Sequence, residues 1–168
     1  MPLQITETIE AKENFSSERI DYDKYEAETI EKLLTRVKEC NRDKAKELIY
    51  HCINDNIITL DIFDIDDCFS DATEIEYLEF ADIQTAESHL SKRGAIKDLL
   101  FVISSGQNDE LTLSEVKDCL IRIESAFGQK LKPDKLIWSQ AQESPVGYLQ
   151  MLFSSKCLDR KSQSFLSV

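Results

Sequence analysis

The chain has 168 residues, 42% of them hydrophobic, and a formal net charge of −12, which suits one compact domain with a true core. Four glycines and three prolines exclude a fibrous or low-complexity chain. No apolar run approaches the roughly 20 residues of a membrane span, and Met1-Pro2-Leu3-Gln4 lacks the basic and apolar regions of a secretion signal, so the reading is a cytoplasmic protein without membrane contact.

Residues 1–23 are polar and without period, and read as an extended or flexible arm. Residues 24–155 read as a single α+β domain, opened by a helical hairpin over 24–56. Ile30, Leu33, Leu34 and Val37 fall at i, i+3, i+4 and i+7, which predicts a helix over Tyr25–Cys40 with one apolar stripe. Asn41 is placed to cap a second helix, whose stripe is Ala45, Leu48, Ile49, Cys52 and Ile53. Such a hairpin needs another layer to cover its apolar face.

Residues 57–155 predict a mixed sheet with one long packed helix, in the order β-β-β-α-β-β. The β-branched run Ile57–Phe63 reads as a strand and Asp64–Thr73 as a loop. Ile75–Ile83 reads as a second strand. The continuous apolar run Leu99–Ile103, within Lys97–Ser104, has the composition of a strand buried on both faces. Thr112 and Glu115 form a capping box, T-x-x-E, ahead of a helix with the inward stripe Leu113, Val116, Leu120, Ile123 and Phe127, and Gly128 stops it. A Pro133-Asp134 turn leads to a strand over Lys135–Ala141. After the Glu143-Ser144-Pro145 corner, Val146–Ser154 reads as the last strand, and residues 156–168 as a flexible tail.

The charge is unevenly placed. From Tyr50 to Ser91 there is no Lys or Arg but there are eleven acids, while the other 21 acids and 20 bases nearly cancel. Such a block repels a phosphate backbone, so direct nucleic-acid binding is not expected. It complements a basic protein surface. Asp64, Asp66, Asp67, Glu76, Glu79 and Asp82 are the candidate partner-binding residues.

Chemistry-bearing motifs are missing. There is no GxxxxGK[ST] or GxGxxG loop to cradle phosphate, so no nucleotide cofactor is expected. His51 and His89 are the only histidines, and neither adjoins a motif nucleophile. A calcium loop starting at Asp64 would need glycine at Phe69 and glutamate at Ile75, so no metal site is expected. Cys40, Cys52, Cys68, Cys119 and Cys157 are odd in number and widely spaced, and read as reduced, buried thiols. The expectation is a protein that is not an enzyme.

Leu99–Ser139 resembles the C-terminal domain of the FtsZ/tubulin family. The matching pieces are the strand end and turn Ile103-Ser104-Ser105-Gly106, the helix start Leu111-Thr112-Leu113-Ser114-Glu115-Val116, the Pro133-Asp134 turn and the strand Leu136-Ile137-Trp138. The likeness covers about residues 96–154. Tyr77-Leu78-Glu79-Phe80-Ala81-Asp82-Ile83-Gln84-Thr85 is similar to the family's synergy loop, Asn-x-Asp-Phe-Ala-Asp-Val-Arg-Thr. That loop enters the nucleotide pocket of the neighbouring subunit, where its acids help activate water. Carried over, Glu79 and Asp82 would be those acids, with Tyr77 in place of the amide. The family's Gly-Gly-Gly-Thr-Gly loop and GTP-binding half are absent, so the resemblance implies a fold or a partner surface without a GTPase.

Two functions follow as expectations. One is a non-enzymatic interaction domain that modulates assembly of an FtsZ/tubulin-like polymer in cell division. The other is a small acidic chaperone or adaptor for a secreted or basic protein. It would act as a homodimer and hold an unfolded segment on an incompletely covered helix hairpin.

Overall fold

The structure is a computed structural model, and it describes residues 21–93, 95–105, 111–128, 135–142 and 148–155. The expected arm (apart from Asp21–Asp23), the Pro133-Asp134 turn, the Glu143-Ser144-Pro145 corner, the tail, Gly106 and Cys157 lie outside the described residues. The elements, in order, are α1 (Tyr22–Leu34), α2 (Arg42–Asn54), α3 (Ile62–Cys68), β1 (Glu76–Phe80), α4 (Ile83–Leu90), β2 (Ile96–Ser104), α5 (Leu113–Phe127), β3 (Leu136–Ala141) and β4 (Leu149–Ser155).

The fold is α+β. Its four strands form one mixed sheet in the order β1-β4-β2-β3. β4 pairs antiparallel with both β1 and β2, while β2 and β3, joined through α5, run parallel. Every residue of β2 except Lys97 is buried. This is the outcome expected of a continuous apolar run, because side chains alternate between two covered faces. Leu100 and Val102 point into a core shared with α1, α2 and α3. Leu99, Phe101 and Ile103 point into a second core shared with α4 and α5. The helical hairpin is therefore one outer layer, and its stripe (Ile30, Leu33, Leu34, Ala45, Leu48, Ile49 and Cys52) is buried against the sheet. The uncovered stripe that the chaperone reading requires is not present on the hairpin.

Three local readings are corrected. Ile57–Phe63 is not a strand. A single antiparallel bridge, Ile58 to Gln140, remains of it. Asp61 caps a helix there instead, its carboxylate accepting from the Phe63 N–H at 2.9 Å. Ile62, Ile65 and Cys68, three residues apart, then turn one face inward, so the acids expected in a loop lie on α3. The strand expected to reach Ile83 stops at Phe80, because Asp82 accepts from the Thr85 N–H at 2.8 Å and starts α4. Asn41 stands at the start of α2 but makes no side-chain cap there; a short 3-10 turn, Glu39–Asn41, leads into that helix.

The helix α5 forms as its sequence predicts. The Thr112 hydroxyl accepts from the Glu115 N–H, the Glu115 carboxylate accepts from the Thr112 N–H, and Gly128 ends it in the left-handed region at φ 70°. Its inward stripe is Val116, Cys119, Ile123 and Phe127. Leu113 is 79% exposed, and Leu120 is half-buried. Of the thiols, Cys52, Cys68 and Cys119 are buried but Cys40 is exposed. Burial pushes Cys52 up to about 12 and Cys119 to about 11, which leaves both without thiolate character.

Candidate functional site

The six predicted acids do not form one surface. Asp64, Asp66 and Asp67 lie on α3, over one face of the sheet. Asp66 accepts from the Tyr25 hydroxyl at 3.3 Å and pairs with Lys32 at 3.2 Å. Asp64 and Asp67 are exposed, and their carboxylates have no partner among the described residues. Beside them is an aromatic group. The Phe63 ring stacks on Tyr25 with centroids 4.5 Å apart and lies 6.1 Å from Tyr22. Phe63 is 39% and Tyr22 41% exposed.

Glu76 and Glu79 are three positions apart on β1, so pleating sends them to opposite faces. Glu76 pairs with Arg93, just beyond α4, and the Arg93 guanidinium lies over the Phe153 ring in the α4–α5 core. Asp82 caps α4 and also accepts from the Thr85 hydroxyl at 2.9 Å. The backbone N–H of Thr85, and after it that hydroxyl, hold the Asp82 carboxyl below its ordinary range. Asp82, one of the two acids of the synergy-loop likeness, thus serves its own helix.

Glu79 faces the other way, into a cleft between α2 and the sheet. The cleft holds about 480 Å³. Lys44, on α2, donates to Glu79 Oε1 at 2.5 Å. The hydroxyls of Tyr77 and Tyr148 donate to Oε2 at 2.9 and 2.5 Å. Gln150 Nε2 donates to the Tyr77 hydroxyl at 3.0 Å. The Lys44 ammonium, and after it the Tyr148 hydroxyl, hold the Glu79 carboxyl below its ordinary range. Burial raises Tyr77, and burial followed by the Glu79 bond pushes Tyr148 up to about 12. At neutral pH the arrangement is therefore one carboxylate fixed by an ammonium and two neutral phenols. Along the rim, His51 Nδ1 lies 2.9 Å from Asp55, and its Nε2 lies 3.6 Å from Glu47.

Sequence reasoning singled out Glu79, and Tyr77 only as the replacement of the synergy-loop amide, but not Lys44, Tyr148 or Gln150 around it. The usable signal was the alternation Tyr77–Glu79 on one strand face, which places a phenol and a carboxylate side by side. The Glu47-His51-Asp55 spacing of i, i+4, i+8 likewise places a histidine between two carboxylates on one helix face. Among the described residues, no group of three or more His, Cys, Asp or Glu is arranged to hold a metal ion, and no helix is long and apolar enough to cross a membrane.

No family model matches the chain, and neither does any curated protein. Among solved structures it is similar to an empty FtsZ dimer from M. jannaschii, at 16% identity and a TM-score of 0.41, over 70% of this chain and 39% of that one. It is also similar to CetZ from Methanosaeta thermophila, at 9% identity and a TM-score of 0.39, over 69% of this chain and 37% of that one. The chain spans well under half the length of either. Overlaps of this extent carry neither a family assignment nor a function.

Proposed function

We propose that the chain is a non-enzymatic protein-interaction domain of the cytoplasm, which docks a basic surface of its partner on the outer face of α3. The observation that carries this reading is the pairing of exposed aromatic rings, Tyr22 and Phe63, with the exposed carboxylates of Asp64 and Asp67, which have no partner among the described residues. Aromatic faces beside free carboxylates favour lysine and arginine through cation–π contact and charge together. The partner to which the Leu99–Ser139 resemblance points is an FtsZ/tubulin-like polymer. A domain shaped like part of a subunit, without the nucleotide loop, would occupy one protofilament interface and offer none to the next subunit, so assembly would fall.

The test is sedimentation of purified FtsZ assembled with GTP, with and without an equal amount of this chain. The expected result is co-pelleting or a lower polymer yield. Either effect should weaken as salt shortens the screening length below about 8 Å, and should be lost in the double variant Asp64→Lys, Asp67→Lys with its thermal melt unchanged. An unchanged yield with this chain left in the supernatant sinks the polymer reading. Full binding by the double variant sinks the α3 face.

A further inference from the structure

We propose that the cleft between α2 and the sheet is a binding site for a small organic cation, an ammonium or guanidinium group. It lies apart from the α3 face and does not depend on that reading. At about 480 Å³ it falls within the size range of small-molecule clefts.

Its lining is rich in acceptors. Three carboxylates, Glu47, Asp55 and Glu79, face it against the single ammonium of Lys44 and the imidazole of His51. An anion would meet net repulsion there. Inside, Asn56 is 9% exposed, and its Nδ2 is committed to Ser139 Oγ at 2.7 Å. Its Oδ1 is then an acceptor on the cleft lining with no partner among the described residues. Gln150, half-buried on the same lining, has its Nε2 on Tyr77, and its Oε1 has no partner among the described residues. Acceptors left open on a cleft wall can take donors, and a ligand N–H group supplies them.

The cleft also shows how a cation is held. Lys44 Nζ sits 2.5 Å from Glu79 Oε1 and 5.9 Å from the centroid of the Tyr77 ring. A carboxylate with an aromatic face beside it is an ammonium-recognising pair. Lys44 is the resident cation on a flexible stem, its side chain 53% exposed, so an incoming cation competes with it for the same pair.

The experiment titrates the full chain with agmatine, which carries both cationic groups, by calorimetry and by amide NMR, with sodium chloride at matched ionic strength as the blank. Saturable binding is expected, with shifts at Tyr77, Glu79 and Gln150. Glu47→Gln with Asp55→Asn should weaken binding about tenfold. Lys44→Met should tighten it several-fold, an effect that a merely structural lysine would not produce. Acetyl-arginine methylamide forms the second arm: if it binds better than agmatine, the natural cation is a side chain of a protein, and if worse, a free amine. A response to agmatine no larger than to sodium chloride overturns the proposal. So does equal binding by the acid double variant, or lost binding in Lys44→Met with the thermal melt intact.

Discussion

Lys135 offers a sharp test of how the helical layer on the α1–α3 side is fastened to the sheet. Its ammonium donates to the carbonyls of Asp67 and Cys68 at 3.1 and 3.3 Å, and to Ser70 Oγ at 3.3 Å. These groups close the C-terminal end of α3, where a positive charge is favoured. Behind it lies Asp98, 0% exposed near the start of β2. One oxygen of Asp98 accepts from the Ser154 hydroxyl. The other, Oδ1, has no hydrogen bond among the described residues and lies 3.9 Å from Lys135 Nζ. Lys135→Met keeps most of the volume but strands a buried carboxylate and frees the α3 carbonyls. Removing one partner of a buried ion pair costs about 3 kcal/mol or more. At about 2–4 °C per kcal/mol for a chain of this size, the melting midpoint should fall by roughly 6–12 °C. Asp98→Asn alone should cost less, about 1 kcal/mol, since Lys135 keeps its other acceptors and Ser154 keeps its bond. The double variant should recover part of the loss, with a coupling of about 2 kcal/mol in a urea-denaturation cycle. If Lys135→Met loses under 1 kcal/mol, or the two losses simply add, the two groups do not act as a pair and the argument is refuted.

Two further outcomes follow from named contacts. Leu113→Ser on α5 should leave the urea midpoint nearly unchanged, within about 0.5 kcal/mol, whereas Ile123→Ala, at a fully buried position on the same helix, should cost about 2–5 kcal/mol; equal losses would mean that Leu113 is packed after all. Glu79 is held below its ordinary range by Lys44 and the two phenols, so its contribution to stability is present above the unfolded carboxyl value, near 4.3, and is lost as pH falls through the lower folded value. The stability gap between the native chain and Glu79→Gln should therefore be widest near neutral pH and narrow as pH falls below the unfolded carboxyl value; a gap that stays constant down to pH 3 would show that the carboxylate charge is not what the network holds.

How legible the fold was depended on whether a local signal had a competitor. The helix α5 had a capping box, a periodic stripe and a terminal glycine all in agreement, and β2 had an apolar run too short for a buried helix. Both elements formed, although Leu113, read as part of the inward stripe of α5, faces solvent. At Ile57–Phe63 two signals disagreed. The β-branched content favoured a strand, while Asp61 ahead of the Ile62, Ile65, Cys68 spacing favoured a helix. The helix won because the cap bond is local and the period gives a whole face to the core. α4 was hidden in the same way. Asp82 followed three residues later by Thr85 is a capping sequence, and Ala86 and Leu90 make the buried face, but the strand-like Tyr77–Phe80 just before it carried the reading onward.

The site was less legible because its contacts are long-range. Lys44 and Glu79 are 35 residues apart, and Tyr148 and Glu79 are 69 apart. They meet because β4 pairs with β1 at Gln150–Glu79 and because α2 lies over that sheet face. A count of acids along the chain treats the eleven of the Tyr50–Ser91 block as one set. The sheet partitions them instead: Glu76 goes to one face with Arg93, Glu79 goes to the other with Lys44, and Asp61 and Asp82 close helix ends. A carboxylate paired with a cation adds little to a long-range field, because the two charges cancel at a distance. What remains free for a partner is the residue of that partition. Asp64 and Asp67 turn outward because Ile65 and Cys68, one position on from each, turn in. Two of the block's carboxylates thus reach solvent on α3 beside Phe63, which is where the proposed basic partner would meet them.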